Sequence, residues 1–179
     1  MKSLAKQRII LTGATGGIGS EIAKQLLNHD CKIGLVGRSE DKLKQLLTEL
    51  EKEGGGANDR LLITADILTT KGQQAILNEM DKHFSGYDML INTAGLMDFI
   101  DFTKQTDERI ESLIKTNVVA PMQLTRKVLP AMLKQQNGHI VNIGSIFGSI
   151  GFAWFSSYST SKFALRGFSE SLRRELADT

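Results

Sequence analysis

Apolar residues along this chain follow two alternating rhythms. Short, nearly unbroken apolar runs such as Ile9-Ile10-Leu11 and Ile33 to Val36 give way to longer stretches with apolar residues three and four apart. The first rhythm predicts buried strands and the second amphipathic helices. Strands are expected at 8–12, 32–36, 60–64, 87–92 and 139–144, and helices at 17–28, 40–53, 70–84, 106–134 and 157–177. The first helix carries Ile18, Ile22, Leu26 and Leu27 on one stripe, and the second carries Leu43, Leu46, Leu47 and Leu50. Ser39 is placed to cap the second helix. Residues 54–59, Gly-Gly-Gly-Ala-Asn-Asp, form a turn. Pro121 interrupts the fourth helix and marks a kink.

Strand and helix alternate to the end, with no repeat and no linker. That order predicts one α/β domain over residues 1–179, a doubly wound parallel sheet with helices on both faces. The expected strand order is 3-2-1-4-5, with a ligand crevice beyond the carboxyl ends of the strands. Thr12/Gly13, Gly37/Arg38, Asp66, Asn92/Gly95 and Ser145 all follow strand ends. Far apart in sequence, they converge in such a sheet.

Two clusters carry candidate chemistry. Thr12-Gly13-Ala14-Thr15-Gly16-Gly17-Ile18-Gly19 closes the first strand and opens the first helix. Glycine permits the tight turn and lets phosphate oxygens approach with no Cβ in the way. The helix N-terminus adds unpaired N–H groups and about half a positive charge. An ordinary strand-to-helix turn can look the same, so this run alone says little. Tyr158 and Lys162, in Tyr158-Ser159-Thr160-Ser161-Lys162, stand four apart and share one helix face. In isolation they read as a surface aromatic and a solvated cation. In combination, the two clusters point to a dinucleotide and to hydride transfer at a nicotinamide, with Tyr158 handling the proton.

Further matches lie between them. Asn92-Thr93-Ala94-Gly95, Asn117 in Lys115-Thr116-Asn117-Val118, and Ser145 after Val141-Asn142-Ile143-Gly144 fall in order. With these, the chain resembles the short-chain dehydrogenase/reductase family over nearly its whole length. The resemblance implies a Rossmann-type sheet and an oxidoreductase moving hydride between a nicotinamide and a carbonyl or alcohol. It implies Tyr158 as general acid or base, Ser145 polarising the substrate oxygen, and Lys162 holding the nicotinamide ribose. A phenol ordinarily ionises near pH ~10; a neighbouring ammonium and an oxidised nicotinamide both stabilise the ionised form. Asn117 is implied to place a water linking Lys162 to solvent. Cofactor contacts are implied for Gly13, Thr15, Gly16, Gly17, Ile18, Gly19, Asp66, Ile67, Asn92, Ala94 and Gly95, and for Tyr158 and Lys162.

The end of the second strand bears on cofactor choice. NAD-preferring sites offer a carboxylate there to the adenosine ribose. Here Gly37 carries no acid and Arg38-Ser39 follows. A guanidinium engages a 2′-phosphate bidentately, and the Ser39 hydroxyl adds a contact. NADP(H) is therefore expected over NAD(H), with Glu40 and Asp41 weakening the local field.

Composition removes other classes. Twenty-two basic and 20 acidic residues give a net charge of +2, with no basic block for nucleic acid and no basic amphipathic stretch for a membrane. The single Cys31 permits no internal disulfide, reads as a small buried hydrophobe, and fits a reducing, cytoplasmic setting. No targeting segment is visible. His29, His83 and His139 lack metal-ligand spacing. Phe147, Phe152, Trp154 and Phe155 read either as an apolar substrate wall or as packing against a subunit or the loop's own helices. Phe163, Phe168 and Leu172 suit the core or a partner helix. The resemblance implies a homodimer or homotetramer. It also implies further strands, a substrate lid and one wall of the nicotinamide site beyond Thr179. The rival reading is a non-catalytic NADP(H)-binding sensor or interaction module on the same fold.

Overall fold

The computed structural model describes residues 4–26, 28–53 and 60–177; Leu27 and the expected turn at 54–59 lie outside the described residues. The strands are β1 (Arg8–Thr12), β2 (Lys32–Gly37), β3 (Arg60–Thr64), β4 (Met89–Asn92) and β5 (His139–Asn142). The α-helices are α1 (Gly17–Leu26), α2 (Glu40–Lys52), α3 (Thr70–Phe84), α4 (Asp107–Ile114), α5 (Ala120–Lys134) and α6 (Ser156–Glu175). The strands pair in the order β3-β2-β1-β4-β5, all parallel. This is the doubly wound Rossmann-type sheet that the alternation predicts.

Side chains alternate across the strands, so the sheet feeds two cores. On one face Ile10, Val36, Ile63 and Leu90 meet Ile76 and Met80 of α3 and Leu124 and Val128 of α5. On the other, Ile9, Leu11, Leu35 and Ile91 meet Ala23 of α1 and Leu43, Leu46 and Leu50 of α2. Gly34 sits in β2 because α3 lies hard against it. A Cβ there would stand 2.5 Å from the Met80 sulfur. Helices α2, α3 and α4 start where capping side chains stand. Ser39 Oγ accepts the Lys42 N–H at 3.4 Å, Thr69 Oγ1 the Gly72 N–H at 3.0 Å, and Thr106 Oγ1 the Arg109 N–H at 3.3 Å.

Three expectations need correction. The α1 stripe is Gly19, Ala23 and Leu26, while Ile18 is 58% exposed. The small residues let the helix lie close on the Gly13 turn, and that closeness sets its rotation. The predicted helix over 106–134 is three pieces, with a π-helical turn at Lys115–Val119 between α4 and α5. There the Ala120 N–H bonds the Lys115 carbonyl five residues back. Pro121 has no N–H for the Asn117 carbonyl, so the α ladder breaks at this point. Finally, β4 begins at Met89, because Tyr87 and Asp88 belong to a polar cluster below the sheet.

That cluster ties β1 to β4 at their amino ends. Arg8 donates from Nε and Nη2 to Asp88 at 2.8 and 2.6 Å, and its backbone N–H donates to the same carboxylate at 2.9 Å. Arg8 Nη1 also reaches the Ser85 carbonyl at 2.5 Å, where α3 ends. Burial pushes the Asp88 carboxyl up, but the hydrogen bonds from Arg8 outweigh it and hold the carboxyl below its ordinary value. Among the described residues the outer edge of β5 has no strand partner. A cavity of about 870 Å³ lies beside it, between α5 and α6, with Leu133, Ile140 and Leu172 in its lining.

The Arg8–Asp88 pair gives a stability prediction. Asp88→Ala leaves the half-buried guanidinium unpaired and is expected to cost on the order of 3 kcal/mol in urea unfolding. Because the folded-state value is depressed, the pair's contribution is complete above the ordinary carboxyl range and fades as pH falls through the depressed value. The gap between wild type and Asp88→Ala should therefore narrow only in acid.

Candidate active site

In-register parallel pairing lines up the carboxyl ends of the strands. Thr12 faces Val36 on one side and Asn92 on the other, and Asn92 faces Asn142. The turn after β1 therefore meets the turn after β4. Gly13 adopts φ +63°, and a Cβ on it would lie 2.7 Å from the backbone of Ala94. Only glycine satisfies both the conformation and the space. Gly19 faces the Gly13 carbonyl with equally little room. The Ala14 N–H bonds the Val36 carbonyl at 3.1 Å, anchoring the turn to β2. Gly16, Gly17 and Ile18 remain exposed at the start of α1. An exposed helix N-terminus over a glycine-rich turn fits a pyrophosphate.

The second-strand end lies alongside. Thr15 Cγ2 stands 3.5 Å from where a Gly37 Cβ would be, and Arg38 is exposed next to it. Ser39 Oγ accepts the Lys42 N–H as the α2 cap, which leaves its own O–H as a donor. Glu40 is engaged by Lys44 at 2.6 Å, which offsets part of the negative charge near Arg38. Asp66 Oδ1 accepts the Leu68 N–H at 2.9 Å, shaping the turn after β3. Ile67 packs partly against the core. Asn92 is nearly buried, and its amide donates to Asn142 Oδ1 at 2.9 Å; Asn142 in turn donates to Ser169 Oγ of α6 at 2.9 Å. The Asn92 side chain is thus spent on holding β4, β5 and α6 together. Gly95 lies against Asn117, whose Oδ1 is 3.3 Å from the position of a Gly95 Cβ.

Asn117 sits in the π-helical turn with its side chain wholly committed. Its Oδ1 accepts the Leu96 N–H at 2.7 Å, and its Nδ2 donates to the Leu96 carbonyl at 2.8 Å and to Ser161 Oγ at 3.0 Å. Ser161 donates to the Tyr158 carbonyl at 2.7 Å. One amide therefore couples the segment after β4 to the turn of α6 that bears Tyr158 and Lys162.

Tyr158 and Lys162 share a face of α6, with Lys162 Nζ 5.8 Å from the Tyr158 ring centroid. Lys162 is only 8% exposed, and its ammonium donates to the Ile143 carbonyl at 2.8 Å, two residues before Ser145. Burial pushes the Lys162 ammonium below its ordinary value. Ser145 Oγ accepts the Phe147 N–H at 3.2 Å, which leaves its own O–H available as a donor. Gly148 seats the Ser145 turn on α6, since a Cβ there would lie 2.8 Å from the Lys162 carbonyl. Ser145, Tyr158 and Lys162 thus belong to one packed unit. The large cavity beside β5 touches none of them.

Sequence reasoning missed a polar brace on the open side. Arg109 grips Asp98 from Nε at 2.7 Å and Nη2 at 2.5 Å. Gln105 donates to Asp98 at 3.1 Å and accepts the Ser157 O–H at 2.5 Å. The brace fixes the segment after Leu96 to α4 and to the start of α6. An acid in a loop and an arginine 11 residues later carry no periodic signal.

Lys162 yields a pH prediction. Its folded-state value is lowered, so the cost of burying the cation is complete below that value. The cost disappears as pH rises towards the ordinary 10.5. Wild type should therefore gain stability relative to Lys162→Met between neutral pH and pH ~10, read by urea unfolding at both.

Comparison with known proteins fits this arrangement. Residues 7–179 match the family model for short chain dehydrogenases. The ketoacyl reductase HetN of Nostoc sp. is 34% identical over the whole chain, which spans 61% of that protein's length. Nodulation protein G of Rhizobium meliloti is 32% identical over 99% of the chain and 70% of its own length. An actinorhodin polyketide ketoreductase variant solved with NADPH superposes with a TM-score of 0.91 at 31% identity, over 100% of this chain and 68% of that one. A metagenomic short-chain oxidoreductase in complex with NADP gives 0.88 at 30% identity, over 98% and 79%. A sheet that gathers these strand ends, and a family match over almost every residue, lead to one assignment: the chain belongs to the short-chain dehydrogenase/reductase family.

Proposed function

We propose that this protein is an NADP(H)-dependent oxidoreductase that transfers hydride between the nicotinamide and a small carbonyl or alcohol substrate. The observation that carries the reading is the buried Lys162 ammonium, held beside Tyr158 and bonded to the Ile143 carbonyl two residues before Ser145. A desolvated cation is costly, and groups perturbed in this way cluster at functional sites. A binding module needs neither that cation nor the adjacent phenol and serine, which weighs against the non-catalytic alternative.

The bound cofactor supplies the hydride. Tyr158 gives the proton to the substrate oxygen in reduction and takes it in oxidation. Ser145 donates its hydroxyl hydrogen to the same oxygen. Lys162 has three N–H donors; one lies on the Ile143 carbonyl and the others serve the nicotinamide ribose. Its charge also stabilises negative charge developing on the Tyr158 oxygen. Asn117 acts through its hold on Leu96 and Ser161, and it places a water that links Lys162 to solvent.

Arg38 supports NADP(H) over NAD(H), since it is exposed beside the Gly-rich turn with no carboxylate at Gly37. Two of the similar structures were solved with NADP or NADPH. An apolar substrate is supported by Phe99 and Trp154, 68% and 53% exposed and linked to Tyr158 through the Phe155 ring. The exposed Phe163 of α6 is a candidate contact in a homodimer or homotetramer. Among the described residues no helix is long and apolar enough to cross a membrane.

Trp154 is the chain's one tryptophan, and energy transfer from it to the reduced nicotinamide reports binding. NADPH should bind more tightly than NADH, and Arg38→Asp should reverse the order; an unchanged order would remove Arg38 from the site. Tyr158→Phe should lower turnover of a carbonyl panel by about 10²–10⁴-fold with NADPH affinity preserved. Near-normal turnover in that variant would refute the proton-transfer role.

A further inference from the structure

Phe147 touches both Ser145 and Tyr158. Its N–H donates to Ser145 Oγ at 3.2 Å. Its ring meets the Tyr158 ring edge-on, with centroids 5.8 Å apart and planes at 82°. The short 3₁₀ turn that carries it, Ile146–Gly148, is closed by the Gly148 N–H on the Ser145 carbonyl at 2.9 Å. Through Gly148 the turn presses on the Lys162 backbone.

The ring itself is held on further sides. Phe155 stacks on it at 4.5 Å and 26°, and Phe152 meets it edge-on at 4.7 Å. Phe155 in turn contacts Phe99 at 5.1 Å, and Phe99 contacts Trp154 at 5.8 Å. Trp154 keeps a left-handed backbone, φ 71°, with its carbonyl accepting the Ile100 N–H at 2.9 Å. That conformation is unfavourable for so large a side chain. Here it locks the loop bearing Phe99 to the loop bearing Phe155. A rotation of Phe147 would have to displace this whole row of rings. Offset and edge-on ring pairs have preferred geometry, so the row sets the plane against which Tyr158 rests.

We propose that Phe147 is a positioning residue, fixing the Tyr158 ring relative to the Ser145 hydroxyl so that both reach one substrate oxygen. The proposal rests on the oxidoreductase reading above and deepens it. Its reach is through geometry: a misplacement of about 1 Å at a reacting group costs up to ~10²-fold in rate.

The test pairs kinetics with a signal that does not need turnover. Phe147→Leu keeps an apolar side chain and removes the ring; Phe147→Tyr keeps the ring. Phe147→Leu should lower kcat by about 10- to 100-fold with KM and NADPH affinity changed less than about twofold, and Phe147→Tyr should stay near wild type. The chain has two tyrosines, Tyr87 and Tyr158. With 3-fluorotyrosine incorporated, fluorine NMR gives one resonance for each, and loss of a signal in Tyr158→Phe identifies the second. Phe147→Leu should move the Tyr158 resonance and leave that of Tyr87 in place. An unmoved Tyr158 resonance, an unchanged kcat, or equal losses in kcat and NADPH affinity would each overturn the proposal. If wild type reduces no carbonyl on a broad panel while the Tyr158 resonance still answers to Phe147→Leu, the coupling of the two rings stands and the oxidoreductase reading falls.

Discussion

Parallel pairing of β1 with neighbours on both sides is the constraint on which the rest depends. Because β1 lies between β2 and β4 and all strands run one way, every strand ends at the same edge. The turns after those ends must then share a small volume. Gly13 against Ala94 is the tightest expression of this, with no room for a single Cβ between two backbones. Gly16 and Gly17 leave the backbone exposed where α1 begins, and exposed amides at a helix N-terminus attract an anion. The proposed binding surface is thus a by-product of how the sheet closes its ranks. Arg8 and Asp88 secure the opposite edge, away from the chemistry, where a charged pair can serve stability alone.

The site spends some of the stability that the sheet supplies. Lys162 holds an ammonium almost out of water on the Ile143 backbone carbonyl. Asn117 devotes a buried amide to two backbone groups and a serine. The π-helical turn at Lys115–Val119 gives up regular α bonding where Pro121 cannot donate. These features lie close together, and none improves the core. Local compromise of this kind is what a functional centre looks like when the surrounding packing is regular.

The open side of the site is organised differently from its floor. Backbone contacts and buried amides build the floor, from strand ends and α6. The open side rests on the Arg109–Asp98–Gln105–Ser157 brace and on a row of aromatic rings. Both join loops that are distant in sequence. The floor can therefore stay constant while the open side is varied to suit a substrate, a division common to α/β enzymes whose chemistry sits on loops above a fixed sheet.

The hydrophobic pattern was sufficient for the five strands and the two-faced core, since buried parallel strands and amphipathic helices have distinct periods, and the expected order of the strands followed from the doubly wound arrangement that their alternation implies. The glycine run and the Tyr158/Lys162 spacing were legible for a similar reason: each is a local motif whose geometry follows from backbone conformation over a few residues. The pattern misjudged α1, where Gly19 and Ala23 turned inward in place of Ile18, because rotation of a helix is set by how closely its neighbour approaches. It also could not show that Asn92 turns to Asn142, that Asn117 clasps Leu96, or that Phe147 joins Ser145 to Tyr158. Those contacts span 21 to 50 positions, or bridge two elements through a ring. Short-range periodicity carries no record of them. By itself the sequence determined which residues form the sheet and which carry chemical groups. Only the tertiary structure decided which of those groups meet, because the close approach of strand ends and loops is settled by packing across the whole domain.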